Sequence, residues 1–576
     1  MKKRAVAILL TAAMVMSLAA CGGSGNTATD TGKEAASTST ETTKTEEKKE
    51  ETKTDTASND TAAEEAPAEA GEYNLEKLYI IVDGTLTATV DNGQKEFEEQ
   101  WEEKVGAKLG HPIDLIIEQP EHSGYQGTVS QILATRSVGD DDYPDAMIMS
   151  ASMFREYSTT GLLWDMADAY NNADFISRLR FNNNEGLKDS QGRLFGVAPT
   201  RGNGCVTYVK QTWLDAVGMK LEDIKTYDDY YAMLKAFTDQ DPDGNGKAGT
   251  YGVIAAGYAN IGEAPYINYT AEFWQGAYPA IYQKNGQWID GFQEQATIDA
   301  LGRLHQAYED GVIDPDTEEA STKIAREKFW SNDQSAASGV FTYWAGTWYK
   351  TISDNMVKQG IMAEGDQMKE LVQLPPIKEI MDTWGGYIDR EAPVWVITDD
   401  MDGDNSREQA IFDALIETML DGDEVMTLWV YGAEDVHWST KAESFETVTG
   451  EEKTVTEYSY EDGQFHLRPS PNDPNAIWKK NHLDPILTIV PLSNGFSDTD
   501  PVVQAGNEFF NKYAVPAPAG AASEKLTEIQ SELTDAKKIA INAAVTGEMT
   551  PEDAIQEYID NWGDAVAEVL EELNAQ

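Results

Sequence analysis

The chain has 576 residues, enough for more than one hydrophobic core, and carries 44 Lys and Arg against 100 Asp and Glu, a net charge of −56. Such a surface repels phosphate backbones, which argues against nucleic acid as a partner. Two cysteines, Cys21 and Cys205, give no disulfide framework, so packing falls to a 41% hydrophobic composition that includes 14 Trp and 25 Tyr.

The N-terminus reads as a targeting segment. Met1-Lys2-Lys3-Arg4 is followed by an apolar run from Ala5 to Met16 and by Leu18-Ala19-Ala20-Cys21, the pattern of a signal peptide over 1–20. The apolar run is too short to span a bilayer. Leu-Ala-Ala-Cys followed by Gly22 and Gly23 resembles a bacterial lipobox. That resemblance implies that Cys21 receives a diacylglycerol, becomes the mature N-terminus and anchors the chain outside the cytoplasm on the cell membrane. Acyl chains hold by about 0.8 kcal/mol per buried CH₂. Cys205 is then left as a small buried residue. Residues 21–72 consist of Thr, Glu, Lys, Ala, Ser and Asp with almost nothing apolar, the composition of a disordered stalk.

Order is predicted from Leu78-Tyr79-Ile80-Ile81-Val82, a strand, after which Phe97, Trp101 and Val105 recur at helical spacing. Strands at Ile113 to Ile117 and Ala146 to Met149, with a helix around Val129 to Ala134, continue the alternation. Strand, helix, strand, helix, strand implies parallel pairing in an α/β lobe. Breaks fall at the Pro-rich stretch Leu374 to Ile377 and at polar residues 399–407. Residues 441–473 read as an insertion, with Thr454 to Thr456 and Gln464 to His466 flanking a hairpin signal, Asp462-Gly463. The tail from 522 to 572 is helical by periodicity, with Pro551 starting its last helix.

The order of these landmarks resembles the extracellular solute-binding proteins of family 1, the maltose-binding-protein-like group. Carrying the resemblance are the opening strand, the helix of Phe97 and Trp101, Pro144-Asp145-Ala146-Met147, the run from Gly192 to Pro199 leading into Tyr208 to Leu214, Ser338 to Gly346, Tyr431 to Trp438, and the tail with Val545-Thr546-Gly547-Glu548. It extends over nearly the whole chain from about Tyr73. It implies an α/β, two-lobed periplasmic-binding-protein-like fold (type II) with hinge-crossing segments near 199–205, near 374–376 and around 431–438. The lobes would then comprise 73–200 and 374–435 for the first, 201–373 and 436–576 for the second. It also implies a monomeric, lipid-anchored substrate-binding protein of an ABC importer, which closes on a carbohydrate, most simply an oligosaccharide, and delivers it to ABC permease subunits encoded elsewhere. A surface lipoprotein enzyme acting on polysaccharide and a sensory binding protein for a receptor kinase are the rival readings.

Tyr343-Trp344-Ala345-Gly346-Thr347-Trp348 is the leading ligand candidate. A sugar ring offers a face of C–H groups to an indole, and small Ala345 and Gly346 let it approach the backbone. Relatives carry a stacking aromatic at the place matching Trp344. The alternative is that Trp344 and Trp348, four apart, form one core-facing helical stripe. Trp274, Trp384 with Tyr387, and Trp438 beside His437 are further aromatics for a cleft rim, each with a core alternative. Arg201 at the expected hinge suits sugar hydroxyls or a carboxylate, or else a structural ion pair. Glu121 and Tyr125 follow the second strand, where α/β sheets place ligands. Asp241, Asp243, Asn245 and the Lys247 carbonyl, with Gly246 at the sixth position, match the start of a calcium loop and resemble the EF-hand-like loop of relatives. Gly249 and Gly252 stand where later carboxylates belong, so a metal-free turn is the alternative; no other cofactor is expected. Nothing forms a catalytic set: six His lack metal spacing, and among 100 acids pairing alone argues for nothing.

Overall fold

Lys77–Ile81 forms the first strand, β1, because a Leu, Tyr and Ile run with four of five side chains buried suits a strand covered on both faces. The computed structural model describes residues 73–575 except 84–92, 121–123, 141, 190, 248, 262–265, 332–336, 447–451, 461–462, 469–482, 484–486, 494–499 and 519. The chain divides into units 1–68 and 69–576, and the described residues belong to the second. Cys21 and the expected stalk lie outside them.

From β1 the chain enters α1 (Gln94–Leu109), which buries Phe97, Trp101 and Val105 on one face. It returns as β2 (Asp114–Glu118), parallel to β1 with Leu78 opposite Leu115 and Ile80 opposite Ile117. Helix α2 (Tyr125–Thr135) leads to β3 (Ala146–Met149), parallel on the other side of β1. The Ser150 hydroxyl then caps α3 (Ala151–Tyr157), accepting from the Met153 amide at 3.3 Å.

After residues 199–204 the chain builds a second sheet. Its first strand is β4 (Cys205–Lys210), buried at all six positions. Helix α4 (Tyr227–Asp239) starts with a capping box, Thr226 Oγ1 accepting from the Asp229 amide and Asp229 Oδ2 from the Thr226 amide. Then come β5 (Thr250–Ile254), α5 (Thr322–Phe329), β6 (Ala337–Trp344), α6 (Thr347–Lys358) and β7 (Leu371–Leu374). The strand order is β5-β6-β4-β7, with β5 parallel to β6 and β4 antiparallel to both its neighbours. A short strand, β8 (Tyr387–Ile388), precedes the return through 389–391. The chain then completes the first sheet with β9 (Val394–Ile397), antiparallel to β3, in the order β9-β3-β1-β2. Helix α7 (Glu424–Tyr431) sets Trp429 edge-on to Phe97, centroids 5.0 Å apart.

Strands β10 (Glu443–Glu446) and β11 (Glu452–Val455) form an antiparallel hairpin. The last passage, between residues 492 and 502, brings in α8 (Pro501–Tyr513) and β12 (Ala514–Val515), which pairs with β8. The chain ends in two long helices, α9 (Glu524–Thr546) and α10 (Pro551–Ala575), the second starting at Pro551 as the sequence predicts.

Two separate hydrophobic cores result, one drawn from 75–198, 392–438 and 483–490, the other from 205–388 and 502–573. The first crossing lies where the sequence puts it. The other two lie later. Residues 375–388 stay with the second lobe because Ile377, Ile380 and Tyr387 are in its core, while Trp438, Leu483, Ile489 and Val490 belong to the first. The hairpin is also displaced. Ser444 pairs with Thr454, while His466 and Leu467 pair with Ser439 and Trp438, because Phe465 packs against the Tyr431 and Trp438 rings at 4.6 and 5.7 Å.

The C-terminal helices are pinned by a buried ion pair. Lys537 Nζ on α9 lies 3.0 Å from Asp290 Oδ1, and Tyr558 on α10 donates to Asp290 Oδ2 at 2.8 Å. The Lys537 and Asp290 side chains are 5% and 1% exposed, so removing one partner strands a charge in the core. Asp290→Asn is expected to cost roughly 3–5 kcal/mol in urea unfolding. The double variant Asp290→Asn/Lys537→Met should recover most of that, and equal losses in single and double variants would refute the account.

Candidate functional site

The crossings meet at a spot with no room for a side chain. A Cβ on residue 202 would sit 1.5 Å from the Arg390 carbonyl oxygen, so Gly202 lets the first crossing pass the second. The Arg390 amide donates to the Asn203 carbonyl at 2.9 Å, and the Ile489 amide to the Pro199 carbonyl at 2.9 Å. Arg201 Nε donates to Asp389 Oδ2 at 2.8 Å. Its guanidinium lies 5.5 Å over both Phe181, packed on the first core, and Phe510, buried in the second. The ion-pair alternative therefore accounts for Arg201. Burial pushes the Asp389 carboxyl up to about 6, with Arg201 pulling the other way. Nearby, Arg155 of α3 pairs with Glu391 at 2.5 Å.

Trp344 closes β6 half-buried, with the Arg390 guanidinium 5.4 Å over its ring. Gly346, at φ +64°, turns the chain from strand into α6, where a Cβ would meet Asn507 Oδ1 at 2.5 Å. Trp348 lies in the first turn of that helix while Trp344 ends the strand, so the two tryptophans do not form one helical stripe. Trp348 is also half-buried, edge-on to Tyr343 at 5.1 Å, with Arg326 of α5 4.5 Å over its ring. Arg326 Nη1 donates to the Tyr343 hydroxyl, and Tyr343 stacks on Tyr269 at 5.9 Å.

Trp384 is half-buried, 5.7 Å from the Tyr278 ring, and lines a narrow recess, no larger than one water molecule fills, with Cys205, Ile267, Asn268 and Tyr387. Its Nε1 is buried without an acceptor. The remaining aromatics take the core alternative. Trp274 is fully buried with Nε1 donating to the Tyr258 carbonyl at 2.9 Å, and Trp438 donates to the Gly432 carbonyl at 2.7 Å. Tyr387 is 2% exposed and donates to the Leu374 carbonyl at 2.9 Å. These polar tips are satisfied internally, which leaves no edge for a rim. Tyr125 is likewise buried, its hydroxyl donating to the Ile148 carbonyl at 2.6 Å, and Glu121 lies outside the described residues. Sequence reasoning missed Arg155, Arg326 and Arg390. Arg326 reaches Tyr343 across 17 positions and a helix-to-strand turn, which no periodicity signals.

In the Asp241 loop, Asp241 sits at φ +51° and its Oδ2 accepts from the Gly246 amide at 2.9 Å. Asp243 Oδ1 accepts from the Asn245 amide at 3.2 Å, and Asn245 Oδ1 from the Lys247 amide at 2.7 Å. Asp241 Oδ1 is buried with no partner. Burial, then the adjoining Asp241, raises the Asp243 carboxyl above its ordinary range. Two touching carboxylates and one orphaned oxygen fit a hard cation, although the loop supplies no ligand at Gly249 or Gly252. A separate acidic group, Asp399, Asp400 and Glu408, has its oxygens within 4.8 Å of one another, but Arg407 pairs with Glu408 at 3.0 Å.

No family model matches the chain. It is 34% identical to lipoprotein LipO of Bacillus subtilis over 134 residues, 23% of this chain and 26% of that one. It is 24% identical to the polygalacturonan/rhamnogalacturonan-binding protein YtcQ of Bacillus subtilis over 346 residues, 57% of this chain and 59% of that one. The chain thus spans about a quarter and about three-fifths of the length of these curated relatives. Among solved structures, it superposes on an HMO binding ABC-transporter associated solute-binding protein from Bifidobacterium longum infantis with TM-score 0.58 at 12% identity, over 87% of this chain and 98% of that one. The fold is the two-lobed type II fold of ABC-transporter solute-binding proteins.

The crossing ion pair makes a pH prediction. The folded state holds the Asp389 proton more tightly than the unfolded chain does, so this group's stabilisation is present below pH 4 and lost as pH rises through about 6. The stability difference between the native protein and Asp389→Asn should shrink by on the order of 2 kcal/mol from pH 4 to pH 6.5. Parallel thermal-denaturation profiles would refute it.

Proposed function

We propose that this chain is the substrate-binding component of an ABC importer, capturing a carbohydrate of oligosaccharide size between its lobes and delivering it to membrane permease subunits. The observation that carries the reading is the pair of separately cored lobes joined by three crossings, with half-buried Trp344 and Trp348 at the carboxyl end of β6. The carboxyl ends of strands are where open α/β sheets hold ligands, and an indole stacks on the C–H face of a sugar.

Binding that engages both lobes only when they close draws the hinge shut through the difference in affinity between open and closed states. No catalytic step is assigned. Among the described residues no helix is long and apolar enough to cross a membrane. The reading includes attachment through lipidated Cys21, outside the cytoplasm, as a monomer. The names of the relatives, a lipoprotein, a polysaccharide-binding protein and a transporter-associated binding protein, support it. The reading also includes a structural calcium held by Asp241, Asp243, Asn245 and the Lys247 carbonyl, which would neutralise the adjoining carboxylates and stiffen the turn between α4 and β5.

An oligosaccharide panel should yield a ligand that raises the unfolding free energy by about 2.7 kcal/mol at a hundred times its Kd. The same ligand should reduce the radius of gyration in solution scattering, and Trp344→Ala should weaken binding about tenfold, near the 1.4 kcal/mol scale of an aromatic contact. Binding without compaction, or release of a shortened sugar, would refute the reading. Millimolar calcium should raise the melting temperature of the native protein and not of Asp243→Ala; no calcium effect on either removes the metal.

A further inference from the structure

Helix α3 belongs to the first lobe, where Met153 and Phe154 are buried in the core, yet its Arg155 is enclosed by the second. Arg155 Nη1 donates to Glu391 Oε2 of the second crossing at 2.5 Å, the two side chains being 18% and 23% exposed. Against the same guanidinium runs the chain that leads from β12 to α9, where Gly520 forms an antiparallel bridge with Tyr282 of the second core. A Cβ on residue 520 would lie 2.5 Å from Arg155 Cζ, 2.7 Å from Nη1 and 2.8 Å from Nε. Gly520 has no positive φ, so what this glycine supplies is room for the arginine and not an unusual backbone. Tyr266 and Tyr278 of the second lobe lie within electrostatic reach of the guanidinium, their rings edge-on at 5.5 Å. Tyr266 holds φ +55°, a conformation that a bulky side chain rarely adopts and that collects where a local structure is put to use.

Arg155 moves with the first core, whereas Tyr278, Tyr282 and the segment bridged to them move with the second. Lobes that swing about the crossings must therefore draw Arg155 away from Gly520 and the tyrosines, while Glu391, in the crossing itself, can stay with the arginine. A contact made only in the closed arrangement favours closure by its own free energy, whatever the ligand is. It also tightens binding without touching the ligand, because apparent affinity scales with the fraction of protein in the binding-competent state.

We propose that Arg155 is an interlobe clasp: it seats between Gly520 and the two tyrosines as the lobes close, sustains a closed population before ligand arrives and so sets how tightly any ligand is held. The clasp rests on the hinge-closure reading above. The full chain tests it with spin labels carried on keto amino acids at positions 95 and 323, where the native lysines are exposed on α1 of the first lobe and α5 of the second, which leaves both cysteines unlabelled. Dipolar distance measurements on the unliganded protein should resolve a closed component beside an open one. Arg155→Ala and Gly520→Val should each deplete the closed component by about threefold or more, the valine by taking the space of the guanidinium. The double variant should deplete it no further than Arg155→Ala alone, because the valine then enters a vacated site. Thermal unfolding checks that each variant is folded, and Gly520→Ala, whose methyl already meets the guanidinium, replaces a valine variant that is not. The same distribution in native protein and in either variant, including one without a closed component, overturns the clasp, as does additive depletion in the double variant. Ligand-driven closure then still stands if a sugar from the oligosaccharide panel enlarges the closed component; a sugar that binds without doing so overturns the closure reading instead.

Discussion

The lobes of this protein depend on backbones passing at a distance that only glycine permits. Gly202 faces the Arg390 carbonyl with no space for a methyl group, and the strands that cross there are the covalent links between two cores that share no residues. Around this contact the sequence has set a directional interaction, the Arg201–Asp389 pair, with phenylalanines of both lobes against the guanidinium. An apolar plug would fill the same volume with less angular preference. A buried ion pair contributes little net stability, but its geometry is demanding, which suits a point about which larger bodies are positioned.

The second consequence of that meeting point is electrostatic. The surface is overwhelmingly acidic, yet the half-buried tryptophans beside the crossings are covered by guanidinium groups, and Arg155 and Arg201 also converge on the second crossing. The guanidinium groups of Arg201, Arg326 and Arg390 each lie over aromatic rings there.

Much of the fold was legible because its signals are local. β1, α1, β2 and β3 follow from apolar runs and from the Phe97, Trp101, Val105 spacing, and the final helix from Pro551. Crossing positions were not legible in the same way. Pro375-Pro376 does mark a break, but which lobe owns the next residues is decided by where Ile377 and Tyr387 are buried, a long-range matter. The same limit governs the aromatics. Trp274, Trp344, Trp348, Trp384 and Trp438 all have glycine or polar neighbours in sequence; only packing separates Trp274 and Trp438, whose indole N–H groups find carbonyls inside the core, from the half-buried three. Arg201 was legible as a hinge residue, and its partner Asp389 was not, because 188 positions separate them. Arg326 carried no local mark at all.

The antiparallel edge strand β9 has a bearing on how such a chain comes into being. Its residues, 394–397, are made nearly 250 positions after those of β3, against which they lie. A chain synthesised from its N-terminus can pair β1, β2 and β3 early, but the outer edge of β3 stays open until the whole second sheet has been made. During that interval the exposed edge is a site for wrong pairing, and Val394, Trp395, Val396 and Ile397, all fully buried in the finished fold, are what covers it. The lobe that begins first is thus completed late, with its edge open to wrong pairing in the meantime.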